Sequence, residues 1–132
     1  MSAEMKPVLE GITVLADDVS TLANFYREAL GMEPTVEEAH YMAFAGSALR
    51  FAIFSRERMG PNTNDHPDYR RPFGGQAFEL NFQCADADEV ASQFVHICAH
   101  GGTTVAAPKE MAWGHFTGFF CGSRGEYSFP VR

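Results

Sequence analysis

The sequence predicts an α+β fold: two paired βαβββ modules, each a cupped mixed sheet carrying one helix. Three observations predict it. The order strand, helix, three strands occurs twice along the chain. Ile12 to Asp18 (ITVLADD) lines up with Leu80 to Asp86 (LNFQCAD), and each of these strands ends in an Asp that leads into an amphipathic helix. Each helix then ends at glycine, at Gly31 and at Gly101-Gly102, before three more strands. An internal repeat outweighs any single element in deciding architecture.

The elements follow in order. Val8 to Ala16 (VLEGITVLA) alternates and is rich in β-branched residues, a strand signal. Asp17-Asp18 offers an N-cap, and Leu22, Tyr26, Ala29 and Leu30 share one helical face that Phe25 widens. Gly31 closes that helix. Three short strands are expected over Thr35 to Glu38, Tyr41 to Ala45 and Leu49 to Phe54, with a turn at Gly46-Ser47. Arg56 to Gly75 holds three prolines, three glycines and no period, so it reads as a linker or long surface loop. Phe78 to Cys84 (FELNFQC) alternates again. Asp86 or Asp88 caps a second helix whose apolar face is Val90, Phe94, Ile97 and Cys98. Thr103 to Ala106, His115 to Cys121 and Glu126 to Val131 complete the second set of strands.

The length of 132 residues suits one domain, expected over 1–132: a first module at about 7–55, a linker at 56–76 and a second module at about 77–132. A formal net charge of −7 repels phosphate backbones and anionic membrane surfaces, so neither nucleic acid nor membrane is an expected partner. Cys84, Cys98 and Cys121 are odd in number and form no C-x-x-C pair, which reads as reduced thiols. Met1 to Lys6 shows no basic head followed by an apolar stretch, so no signal peptide is expected and the location reads as cytoplasmic.

Strand parity predicts where a ligand sits. Leu80, Phe82 and Cys84 should face the second helix, as Ile12 and Val14 face the first, because a helix must bury its apolar stripe against a sheet. The opposite rows then carry Gly11 and Thr13, and Glu79, Asn81 and Gln83. Two sheets with a helix on one side only leave their other faces uncovered. Curving toward each other, these faces should enclose a cleft lined by Thr13, Arg50, Ala52, Phe54, Glu79, Asn81, Tyr127 and Phe129. Concave, mainly apolar walls with a few polar groups suit a small organic molecule. The plainer alternative is a polar face left to water.

ITVLADDVSTLANFYREALGM (Ile12 to Met32), FELNFQCADADEV (Phe78 to Val90) and AAPKEMAWGHFTGFFCGSRGEYSF (Ala106 to Phe129) resemble the vicinal oxygen chelate superfamily, which includes glyoxalase I, bleomycin-resistance proteins and extradiol dioxygenases. In the last stretch the usual Asp-Pro-Asp-Gly turn appears as Gly122-Ser123-Arg124-Gly125. The resemblance implies the paired-module fold and a homodimer. It also implies four metal-site positions on the first and fourth strands of each module. Carried across, these are Gly11 and Glu79, then Ala52 (with one residue of slack to Phe51) and Phe129. Glu79 alone among Gly, Ala, Phe and Glu offers a side-chain donor, so no metal cofactor is expected. The alternative is a divalent metal such as Zn, Ni, Fe or Mn that recruits Glu79.

Single residues carry competing readings. Glu79 is either half of an ion pair with Arg50, whose parity reaches the same cleft, or a base or cation-binding anchor. It is the one candidate catalytic residue. Trp113 and His115 stand at the start of the seventh strand. There Trp113 packs or offers a stacking platform, and His115 is an edge-strand histidine or a cleft-lining titratable group. His96 and His100 share i, i+4 spacing but fall off the apolar face, as a solvated pair would.

The leading functional expectation is a small-molecule-binding protein that does not use the family's metal chemistry. Its expected ligand-binding residues are Thr13, Arg50, Phe54, Glu79, Asn81, Trp113, His115, Tyr127 and Phe129, holding a planar or cationic organic ligand. A metal-dependent lyase, isomerase or dioxygenase of the glyoxalase type is the second expectation. A partner-binding module using the 56–75 loop is the third.

Overall fold

The computed structural model describes residues 9–45, 48–71, 80–122 and, as backbone, 128–131. The first module begins with β1 (Gly11–Ala16) and α1 (Val19–Leu30), followed by β2 (Pro34–Glu37), β3 (Tyr41–Phe44) and β4 (Arg50–Ser55). The strands form one sheet in the order β1-β4-β3-β2, with β1 and β4 parallel and the other pairs antiparallel.

The sequence closes α1 at both ends as expected. Asp18 caps it, accepting from the Thr21 N–H at 3.1 Å and the Thr21 hydroxyl at 2.7 Å. Gly31 ends it in the left-handed region at φ 65°, and the Gly31 and Met32 N–H groups turn back to the Arg27 and Tyr26 carbonyls.

Parity is also as expected. Val14, Phe44, Phe51 and Ile53 join α1's Leu22 and Tyr26 in the core, and the Tyr26 ring meets Phe51 edge-on at 4.9 Å. Thr13 and Arg50 stay exposed on the other face.

The segment read as a period-free linker contains two short helices, α2 (Arg56–Asn62) and α3 (Pro67–Arg70). Helices of 7 and 4 residues cannot display a 3.6-residue period, and Gly60, Pro61 and Pro67 read as breakers. The local signals were present all the same. Ser55 accepts from the Arg58 N–H at 3.2 Å, and Pro67 occupies a first-turn position, where a missing N–H costs nothing.

The second module holds α4 (Ala87–Ala99), β5 (Thr103–Glu110), β6 (Phe116–Cys121) and β7 (Ser128–Val131), the strands antiparallel in that order. Asp86 caps α4 through the Glu89 N–H at 2.8 Å, while the Glu89 carboxylate reaches back to the Ala85 N–H at 2.9 Å. β5 runs four residues past its expected end, through register shifts on either side of Ala106 that accommodate Pro108.

The expected strand at 78–84 is corrected. Among its described residues only Phe82 makes a bridge. Burial seats its described residues: Leu80, Phe82 and Cys84 pack on the core, and Asn81 and Gln83 face water. The alternation was real, but alternation reports burial and not hydrogen bonding.

The two modules share one core. Phe120 of β6 is fully buried, with ring contacts to Phe25 of α1 at 6.3 Å and to Phe94 and Phe82 at 6.4 Å. α1 and α4 pack together, and His96 of α4 lies with Nε2 3.0 Å from the Glu28 carbonyl of α1. Among the described residues no helix is long and apolar enough to cross a membrane.

Candidate functional site

β1 and β4 are parallel, so both begin at the same end of their sheet. A cleft of about 700 Å³ opens there. Ile12 and Phe51 supply its strand wall, Met32 and Glu33 enter from just past the α1 cap, and Leu49 from the approach to β4. The segment Leu80–Gln83 forms the opposing wall, and Arg50 is its cation.

Arg50 is positioned twice. Its backbone N–H donates to the Glu10 carbonyl at 3.1 Å, and its guanidinium Nη2 donates to Glu10 Oε1, also at 3.1 Å. Its cross-strand neighbour is Gly11, where an added Cβ would lie 2.6 Å from the Arg50 carbonyl oxygen and 3.0 Å from the Arg50 Cβ. Only a residue without a side chain permits that approach.

A second cleft, of about 640 Å³, lies across the same segment. It shares Asn81, Phe82 and Gln83 with the first and adds Cys84, Glu110 and His115. Burial pushes the Cys84 thiol above its ordinary range. The Glu89 charge, a hydrogen bond to Glu89 and the Asp86 charge push the same way. Cys84 is therefore a protonated thiol at neutral pH and a poor nucleophile.

The expected site residues divide between these places. Arg50 and Asn81 line the first cleft; Asn81 and His115 line the second. Trp113 is exposed at a turn closed by a Gly114 N–H to Met111 carbonyl bond, one residue from cleft-lining Gly114. Thr13, Ala52 and Phe54 belong to the face of the first sheet turned away from α1, where Ala52 is buried and Phe54 meets Tyr41, and line neither cleft. Glu79, Tyr127 and the Phe129 side chain lie outside the described residues. Arg50 meets the Glu10 carboxylate, and the expected Glu79–Arg50 pair involves a residue outside the described ones. Sequence reasoning missed Met32, Glu33 and Leu49 as lining residues. They stand on turns beyond strand ends, where parity says nothing, although Gly31 did mark the turn that delivers two of them.

Over residues 9–127 the chain matches the family model of the glyoxalase/bleomycin resistance protein/dioxygenase superfamily. The chain belongs to that superfamily. Among solved structures it resembles a glyoxalase/bleomycin resistance protein/dioxygenase family enzyme from Burkholderia phytofirmans PsJN, at 15% identity and TM-score 0.82, covering 93% of this chain and 95% of that one. A glyoxalase-related enzyme from Fulvimarina pelagi is 16% identical with TM-score 0.79, covering 97% and 89%. A lactoylglutathione lyase from Agrobacterium tumefaciens is 18% identical with TM-score 0.70, covering 96% and 93%. At these identities the likeness is one of fold. Comparison with curated proteins gives no match.

The superfamily's metal positions can be tested against the packing. At Gly11 the Arg50 backbone occupies the space a ligand side chain would need. Ala52 is fully buried and carries no donor. Among the described residues no three His, Cys, Asp or Glu side chains converge as a metal site. The first module therefore does not fit the superfamily's metal centre.

Proposed function

We propose that this superfamily member binds a small organic molecule in the cleft at the start of β1 and β4, without the metal chemistry that the family resemblance implies. One observation carries the reading. The metal positions that the resemblance implies for the first module fall on Gly11 and Ala52, and the Arg50 carbonyl leaves no room for a donor side chain at Gly11. The cleft beside them combines apolar walls with one cation, one carboxylate (Glu33) and two side-chain amides, the composition of an organic-ligand site.

The test is a melting-temperature screen of chelator-treated protein against organic ligands and against Zn²⁺, Ni²⁺, Fe²⁺ and Mn²⁺. A ligand present at a hundred times its Kd stabilises the native state by about 2.7 kcal/mol, an easily read shift. Organic ligands are expected to raise the melting temperature in the presence of chelator. Stabilisation by Zn²⁺ or Ni²⁺, with none from the organic set, overturns the reading.

A further inference from the structure

The geometry points to a carboxylate-bearing ligand with an apolar body, anchored by Arg50, with Glu10 holding the guanidinium until the ligand displaces it. This rests on the reading of the cleft as an organic-ligand site and names the class of molecule it takes.

Arg50 is the only Lys or Arg among the described residues that line the cleft. Its guanidinium is planar, always charged and carries five N–H donors, a fork that matches a carboxylate. One Nη2 contact to Glu10 uses a small part of that capacity. The stem of Arg50 stays fixed if Glu10 leaves, because the backbone bond from Arg50 N–H to the Glu10 carbonyl and the close packing on Gly11 do not involve either side-chain charge. Glu10 leaves easily. Its side chain is 78% exposed and regains water on release, and exposed ion pairs contribute little. A ligand carboxylate replaces that contact with like chemistry and adds an apolar tail against Ile12, Phe51, Leu80 and Phe82. Glu33, also lining the cleft, and a net charge of −7 favour a monoanion over a dicarboxylate or a phosphate.

Isothermal titration of the full chain with octanoate, octanamide and octylammonium tests this, using wild type, R50Q and E10Q. Octanoate is expected to bind wild type about tenfold tighter than octanamide, the gain of a charge-assisted over a neutral hydrogen bond. R50Q should remove that preference and leave octanamide unchanged. E10Q alters a solvated side chain, so folding is not at stake; it should tighten octanoate severalfold and leave octanamide alone. Equal binding of octanoate and octanamide, indifferent to R50Q, overturns anion selection while the organic-ligand reading of the cleft stands. Octylammonium binding tightest overturns it in favour of an acidic anchor. Failure of all three to bind counts against the cleft reading itself.

Discussion

Gly11 and Arg50 stand opposite each other at the start of the parallel β1–β4 pair, so close that a methyl group on Gly11 would lie 2.6 Å from the Arg50 carbonyl oxygen. The obstacle is backbone, held by a sheet ladder, and it cannot swing aside as a side-chain tip could. Gly11→Ala should therefore destabilise the chain by about 1–3 kcal/mol, the usual cost of overpacking, read from urea unfolding. Gly11→His should cost at least as much and, although it restores a donor, should bring no stoichiometric Ni²⁺ or Zn²⁺ binding by metal titration. Tight metal binding by that variant would mean that β1 and β4 part readily.

Phe120 joins the modules. Its fully buried ring meets Phe25 of the first module and Phe82 and Phe94 of the second. Phe120→Ala removes the shared contact and leaves a cavity between helices that cannot both collapse into it. The expected loss is about 3–5 kcal/mol, a large share of the 5–15 kcal/mol typical of a native domain. Phe120→Leu should cost less. Urea unfolding followed by the fluorescence of Trp113 and by far-ultraviolet circular dichroism checks both. Unchanged stability in Phe120→Ala would show that the modules are held elsewhere.

Arg56 ties the two short helices to the first sheet. Its side chain, only 12% exposed, donates to Asp17 Oδ1 at 2.9 Å, to the Arg71 carbonyl at 2.9 Å and to the Leu15 carbonyl at 3.3 Å. Arg56→Ala removes three hydrogen bonds and should destabilise by about 1–3 kcal/mol. Asp17→Asn should cost under about 1 kcal/mol, because Asp17 is half-exposed and the ion pair is screened. Hydrogen exchange in Arg56→Ala should rise first across residues 56–71. A uniform rise over the whole chain would instead make Arg56 a determinant of global stability.

The fold was legible wherever local chemistry and burial agree. Asp18 and Gly31 mark the ends of α1 in the sequence and cap it in the structure, and the rows Ile12, Val14 and Leu80, Phe82 face the core as parity requires. Two things escaped. Arg56–Asn62 is too short for a helical period, and its Gly60-Pro61 pair imitates a loop. The Glu10 contact of Arg50 also escaped, because Glu10 precedes β1, where pairing follows the path of the chain and not the alternation within a strand. Parity assigns faces and is silent on the ends of strands. The larger cleft is at such an end, so Arg50 and Asn81 were found by their faces, while Met32 and Glu33 were signalled only by the Gly31 turn and Leu49 not at all.

Cys84 supplies a pH signature. Burial first, then the Glu89 charge, the hydrogen bond to Glu89 and the Asp86 charge, all hold its thiol protonated above the ordinary thiol range. A group with a raised folded-state pKa contributes stability that is complete below its unfolded pKa and is lost as pH rises toward the folded value. Stability should thus be flat around pH 7 and fall in the alkaline range, where the unfolded thiol ionises before the folded one. The slope from this group can reach at most about 1.4 kcal/mol per pH unit. Cys84→Ala should flatten that alkaline limb in urea melts taken from pH 7 to pH 10. Glu89→Gln removes the Glu89 charge and leaves burial and the Asp86 charge in place, so iodoacetamide should label Cys84 faster at pH 8 than in wild type. Labelling measured by mass spectrometry at an unchanged rate would assign the shift to burial and the Asp86 charge.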